Sequence, residues 1–448
     1  MVRLGGVRRR PGVVLREAQA QFLGHPPRLL IAPPEAAPSA RSKREHSAVG
    51  DEKGIVADRI RSDASAVAGL DDPEAYLFDA NLEALVDSVN REGDLPESGL
   101  KETHSEFTHA LANRLLTLKW VGDHPEILDE PITGPIFLTG LPRSGTTFFQ
   151  QLFDRNHDLR LIRTWETISP CPPPAIDPES RQQRIATVRA HDDALRKKIS
   201  EFDAIHLRDA EGAEECHHFL AQTFSAIGFH NYMNVPSYVE YLFSDLDLAA
   251  AYRAHKRQLQ LLQWGGTRKR WALKYPNHLI AMEEILRVHP DATFVMTHRD
   301  PVQTLASLCR LTAAFRVPRM RRIDPGEVGA QMFDFIARHL DRLMRFATSE
   351  EGPARIVNVD YYDLVVSPAD TLAKAYQGLG MEMPASLRHD VEQWRLANPK
   401  GKRGVAPYTL EEFGLIDDEV AERFSSYTRH FDIPREGEAE RRHASPHP

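Results

Sequence analysis

Apolar residues recur at intervals of three and four from Ile55 to about Gly122, as in Leu82, Leu85, Val86 and Val89 and again in Leu111, Leu115 and Leu116. That spacing predicts helices. At Pro135-Ile136-Phe137-Leu138-Thr139 the pattern changes to a short apolar run, which ends in a glycine-containing loop and gives way to a helical pattern. The same order, strand and then helix, recurs at Trp271–Lys274 before Asn277–Val288, at Thr293–Thr297 before Val302–Leu311, and at Arg355–Asp360 before Pro368–Leu379. Alternation of this kind predicts an α/β fold with a central parallel sheet and helices on both faces. Residues 178–260 are helix-like and poor in strand signals, so they read as a helical insertion that covers one end of the sheet. The division expected is a tail over 1–54, a helical preface over 55–130, the α/β domain over 131–435 and a short disordered tail over 436–448.

Residues 1–54 sustain neither period. The first 50 hold six prolines and the run Arg8-Arg9-Arg10, and they read as disordered. The arginines also suit a twin-arginine export signal, but no apolar stretch of useful length follows them. Charge sharpens the picture. The first 50 residues carry nine Lys+Arg against three Asp+Glu, a net +6, so a whole-chain charge of −8 leaves −14 on residues 51–448. An acidic body lacks the diffuse positive field of a nucleic-acid binder, and an anionic ligand has to be met by a local cluster of donors. The three cysteines, Cys171, Cys216 and Cys309, are far apart and form no CxxC pair, which argues against a disulfide framework or zinc site and fits a reducing, cytoplasmic setting. No apolar run approaches the roughly 18 residues of a membrane span, so any membrane contact is expected to be peripheral.

The chemistry concentrates at Gly140-Leu-Pro-Arg-Ser-Gly-Thr-Thr147. Between a strand and a helix, such a loop points backbone N–H groups at an anion. Its glycine spacing matches G-x-x-x-x-G-K-[ST], but Thr146 stands at the lysine position and a positive charge appears instead at Arg143. The string Pro142-Arg-Ser-Gly-Thr-Thr147 resembles the 5′-phosphosulfate-binding loop of sulfotransferases, in the arginine form of tyrosylprotein sulfotransferases and many bacterial relatives. The resemblance implies a three-layer core similar to the P-loop fold. It also implies 3′-phosphoadenosine-5′-phosphosulfate (PAPS) as cosubstrate, held by Arg143, Ser144, Gly145, Thr146 and Thr147, and an acceptor hydroxyl on a small molecule, lipid or glycan.

A second anion site follows the strand Thr293–Thr297. If Pro301 opens the next helix, Arg299 and Ser307, eight residues apart, can meet one anion. In the resembling family that anion is the donor's 3′-phosphate. Tyr362, in Asp360-Tyr-Tyr-Asp-Leu-Val365, matches a tyrosine implied to touch the nucleotide, although an aromatic that closes the strand into the core fits equally. Lys402, in Lys400-Gly-Lys-Arg-Gly404, lies where relatives close a loop over the 3′-phosphate, and a solvated charge run is the plain alternative.

Sulfuryl transfer needs cations at the leaving oxygen and a base at the acceptor. Arg143 and Lys274, the latter in Trp271-Ala-Leu-Lys-Tyr-Pro276 at a strand end, are the expected cations. Glu166, in Thr164-Trp-Glu-Thr-Ile-Ser-Pro170, is the expected base on a loop near the sheet's ligand end; His206, His217, His218 and His230 are the alternatives. Glu214-Glu-Cys-His-His218 also resembles a metal cluster, but adjacent helical residues point apart and no second ligand pair follows, so no metal is expected. Two rival readings stand beside this one. A small-molecule kinase using ATP fits the loop spacing but lacks the lysine, and a noncatalytic nucleotide-binding protein differs only in activity.

Overall fold

The computed structural model describes residues 54–198, 209–244, 247–398 and 409–444. Five parallel strands form its centre: β1 (Ile136–Gly140), β2 (Leu159–Arg160), β3 (Arg270–Lys274), β4 (Thr293–His298) and β5 (Ile356–Asp360). They lie in the order β2-β3-β1-β4-β5. Four of these strands stand where the apolar runs predict them. β2 has no counterpart in the pattern, because two residues paired with Arg270 and Trp271 are too short to show a period.

β1 is buried along its whole length, and its side chains alternate between two cores. Phe137 enters a large cluster with Leu273, Phe294 and Met296, while Ile136 and Leu138 enter a second cluster with Ala272, Val295 and Val359. A period of two with both faces apolar is the mark of a parallel sheet between helical layers, and the fold is the three-layer, P-loop-like α/β arrangement. On the second face lie the helices Thr146–Phe153, through Phe149, Leu152 and Phe153, and Pro368–Gly378, through Leu372 and Tyr376. On the first face, helix Pro325–Ala347 buries Val328, Met332, Phe335, Ile336, Leu340, Leu343 and Phe346 along one stripe. The preface helices Asp79–Glu92 and Glu97–Asp123 add Leu82, Leu85, Phe107 and Leu111 to the same cluster, so they are part of the main core.

The described parts of 178–260 carry the helices Pro178–Lys198, His217–Ala221, Phe229–Tyr232, Pro236–Phe243 and the first turns of Ala249–Gln263, with irregular segments such as 209–216 between them. Its aromatics Phe224, Phe229 and Tyr238 are buried, as is Trp165 beside it. These rings pack the interior. Residues 1–53 lie outside the described residues. The expectation of a disordered tail from residue 436 needs correction, since Glu436–Ala444 forms a helix. It escaped notice because Glu-Gly-Glu-Ala-Glu-Arg-Arg-His-Ala offers almost no apolar stripe. No helix among the described residues is long and apolar enough to cross a membrane.

Three histidines lie under the Phe137 face of the sheet. The His278 ring stands edge-on to Phe137 at 4.9 Å and takes a 2.7 Å hydrogen bond with the Tyr252 hydroxyl. His289 is 5.8 Å from Phe137, and His255 is 6.3 Å from His278. Burial pushes His255 down to about 3 and His289 down to about 4, and holds His278 well below its ordinary value. Each imidazole is therefore neutral when folded and binds a proton more readily when unfolded. The folded state keeps its full stability above the ordinary histidine value of 6.5 and loses it as the pH falls toward 4. The urea midpoint should drop measurably between pH 7.5 and pH 5, and His289→Gln should shrink that drop. A midpoint constant over this range would contradict neutral burial of the three rings.

Candidate active site

Open α/β sheets bind ligands at the carboxyl ends of their strands, where the chain leaves the central strand in opposite directions. Here β1 has β3 on one side and β4 on the other, so the loop after β1 sits at that divide. Gly140 has φ +144°, and a Cβ there would stand 2.5 Å from the Thr297 carbonyl oxygen, so only glycine lets the chain turn so close to β4. Gly145, at φ +95°, faces the Tyr361 ring, 2.8 Å from where a Cβ would be. Between them the Ser144 and Thr297 hydroxyls share a buried 2.7 Å hydrogen bond, and the helix Thr146–Phe153 begins. The N–H groups of its first turn lie beyond the reach of intrahelical acceptors and carry the positive end of the helix dipole.

Arg143 adopts φ +73° in this turn, and its side chain reaches toward the next strand end. Its Nε donates to Ser307 Oγ at 2.9 Å, and its carbonyl accepts from Arg299 Nη1 at 3.2 Å. Pro301 does open the helix Pro301–Arg316, with Asp300 capping the Val302 N–H, and this places Ser307 two turns along it. The structure thus brings Arg143, Arg299 and Ser307 together. Arg299 is mostly buried and its guanidinium sits over the Tyr361 ring, its Cζ 4.3 Å from the ring centre.

At the other end of the loop stands Lys274. Its side chain is 1% exposed, at the end of β3. Its ammonium donates to Thr147 Oγ1 at 2.9 Å and forms an ion pair with Glu215. Thr146 is buried in the first turn of the loop helix. The Tyr362 hydroxyl is buried without a hydrogen-bond partner among the described residues, and burial together with Glu436 and Asp300 pushes its ionisation up. Lys402 and His206 lie outside the described residues.

These strand-end loops decide the affiliation once they are set beside the family comparison. The sequence model of the sulfotransferase family matches residues 135–385, which begin at β1 and include every strand and both arginines above. The chain belongs to the sulfotransferase family. It is similar to the omega-hydroxy-beta-dihydromenaquinone-9 sulfotransferase Stf3 of Mycobacterium bovis and of Mycobacterium tuberculosis, with 25% identity over 237 residues in each case. That match takes in 49% of this chain and 57% of the relative, so the chain spans little more than half the length of the curated relatives it matches. Among solved structures, the sulfotransferase STF9 from Mycobacterium avium superposes with a TM-score of 0.78 at 26% identity, covering 87% of this chain and 100% of that one. The sulfotransferase STF1 from Mycobacterium tuberculosis gives 0.74 at 28% identity, covering 84% and 100%.

Within this sulfotransferase framework, Glu166 stands elsewhere than on the loop expected for it. It does not lie on an open loop but in the first turn of the short helix Thr164–Ile168, with 1% of its surface exposed. Its carboxylate is ion-paired to Arg160 and accepts the Arg163 backbone N–H at 2.8 Å. It caps a turn and ties β2 to the loop that follows, and both oxygens are committed. The alternative histidines also differ in position. Burial holds His217 and His230 neutral, and Arg316 donates to the His230 carbonyl at 2.7 Å. His218 is exposed.

The sequence does not assign three residues of this site to it. Tyr361 is the neighbour of the tyrosine that drew attention. Glu215 pairs with Lys274 across 59 positions, and Glu436 with Arg299 across 137. Glu436 accepts twice from Arg299 Nη2, at 3.0 and 3.2 Å, and its own N–H donates to Asp300 Oδ2 at 3.1 Å. An anion that meets Arg299 on this edge has to displace a carboxylate already there. Glu436→Gln should therefore strengthen binding of adenosine 3′,5′-bisphosphate by about tenfold in a calorimetric titration, the scale of one charged contact. Unchanged affinity would place the anion on another edge of Arg299.

Proposed function

We propose that this chain transfers a sulfuryl group from PAPS to an acceptor hydroxyl. The observation that carries the reading is the junction at Arg143, where a phosphate-type loop is tied to Ser307 and to Arg299 at the end of the neighbouring strand. Two anion-binding features are thereby held a fixed distance apart, as a donor with a 5′-phosphosulfate and a 3′-phosphate requires. Two further observations fit that donor. The Nη2 edge of Arg299 already receives an anion in a two-oxygen contact, and the buried Tyr362 hydroxyl has room in its hydrogen bonding for a polar ligand.

In this reading the backbone from Ser144 to Thr147 and the first turn of the helix cradle the 5′ end. Arg299 and Ser307 take the 3′-phosphate, with Tyr362 beside them; Lys402 lies outside the described residues. Arg143 and Lys274 hold positive charge at the oxygen between phosphorus and sulfur, where negative charge develops as the bond breaks. Because Lys274 is nearly dry, its field there is weakly screened. The donor is consumed as a cosubstrate, and the scheme calls for no metal. Thr146, at the position where triphosphate enzymes carry lysine, weighs against the ATP-dependent kinase. For the acceptor, the hydroxylated menaquinone in the name of the mycobacterial relatives is a compound to test beside simple alcohols and phenols.

The test is calorimetric titration with adenosine 3′,5′-bisphosphate, with ATP and Mg²⁺ as competitor. The bisphosphate should bind and resist competition, and Arg143→Ala and Arg299→Ala should each weaken it by about tenfold or more. Preference for Mg·ATP, or indifference to both substitutions, would overturn the reading in favour of the kinase.

A further inference from the structure

The sulfuryl-transfer scheme needs a destination for the acceptor's proton, and the Glu166 oxygens are already held by Arg160 and the Arg163 N–H. We propose that Glu215 is the group that receives this proton, a role that rests on the sulfuryl-transfer reading above. Three features lead to it.

The first is location. Lys274 touches both Thr147, the last residue of the loop string, and Glu215, so one ammonium separates the carboxylate from the donor cradle. Arg143, Ser307 and Arg299 gather at the opposite end of that cradle. The 3′-phosphate is thereby assigned to one end and the acceptor to the other. Glu215 also lies directly before Cys216, whose N–H binds the Lys274 carbonyl at the end of β3.

The second is rigidity on both flanks. The Glu214 N–H donates to the Ile162 carbonyl at 2.9 Å, the Glu214 carbonyl accepts from Gln150 Nε2 at 3.0 Å, and the Cys216 N–H donates to the Lys274 carbonyl at 2.9 Å. Upstream, Gly212 and Ala210 accept from the N–H groups of Thr164 and Trp165, both at 3.0 Å. The backbone of Glu215 is therefore fixed to the loop helix, to β3 and to the chain beyond β2 at once. A proton acceptor needs this positioning.

The third is access. The Glu215 side chain is 27% exposed, against 2% for Glu166. Among the described residues, Lys274, Cys216, Tyr232 and Tyr275 face it, and Glu214 Oε1 accepts its backbone N–H at 2.9 Å; burial keeps the thiol and both phenols protonated. Among these groups Glu215 offers a carboxylate oxygen at the partly open side of the cradle.

In the step, the acceptor oxygen forms a bond to sulfur while its proton passes to the Glu215 carboxylate. The bond from sulfur to the 5′-phosphate oxygen breaks, and its electron pair stays on that oxygen, opposite Arg143 and Lys274. No oxidant, reductant or metal enters the balance.

The test uses the full chain with Glu215→Gln, Glu215→Asp and Glu166→Gln. Binding of adenosine 3′,5′-bisphosphate is read by calorimetry, and transfer of ³⁵S from labelled PAPS to a panel of phenols, primary alcohols and water is followed from pH 5 to 9. Glu215→Gln should bind the bisphosphate at least as tightly as wild type yet lose about 10²- to 10⁴-fold in turnover, the range for removal of a general base. Its acid limb in kcat/KM should vanish, and Glu215→Asp should recover part of the rate. Turnover in Glu215→Gln close to wild type overturns the proposal. So does a loss matched by lost bisphosphate affinity, or an acid limb that survives in Glu215→Gln and disappears in Glu166→Gln. Failure of the donor reading shows separately, as absence of bisphosphate binding in the wild-type chain.

Discussion

An ammonium can be kept out of water only if its charge is met where it stands, and leaving one unpaired in a dry site costs several kcal/mol. Lys274 poses that demand at the ligand end of β3, with 1% of its side chain exposed. Thr147 and Glu215 meet it, and much of the surrounding architecture follows. Thr147 is placed by the loop after β1, so the strand pair β1–β3 and the start of the loop helix are held in register. Glu215 is placed by the neighbouring Cys216 N–H, which bonds the Lys274 carbonyl at the end of β3. The same residue thus anchors side chains through its ammonium and backbone through its carbonyl.

The opposite flank of the loop solves a different problem. Two arginines approach each other there, and the repulsion is moderated because each gives the other a different group. Arg299 donates to the Arg143 carbonyl, while the Arg143 side chain turns to the Ser307 hydroxyl. The Tyr361 ring takes the face of Arg299, a contact worth on the order of 1 kcal/mol. Glu436 supplies the countercharge. Positive charge is thereby concentrated without being spread over an acidic body.

The elements that could be read from the chain are those whose signal is local. β1, β3, β4 and β5 are apolar runs followed by breakers, and the loop at 140–147 is recognisable because its turn takes Gly140 and Gly145 to positive φ, where glycine is favoured. The spacing of Arg299 to Ser307 was equally legible, since helix geometry alone brings them to one end. What escaped is what depends on packing between distant segments. Nothing in Thr164-Trp-Glu-Thr167 reveals that Arg160 and the Arg163 N–H will occupy Glu166, and nothing in Glu214-Glu215 reveals which carboxylate Lys274 will find. The helix Glu436–Ala444 was invisible for a related reason, because polar contacts with Arg299 and Asp300 hold it in place and an apolar stripe does not.

The Tyr361 ring has an implication of its own. It is the first residue after β5, an edge strand whose partner in the sheet is β4 alone. One edge of the ring fills the space that Gly145 leaves open, and one face carries Arg299. The ring is a spacer that sets the gauge between the loop and the arginine. An edge strand is the easiest part of a sheet to displace, so the width of the cleft is governed from the periphery of the fold, and substitutions along β5 would retune it without touching a ligand.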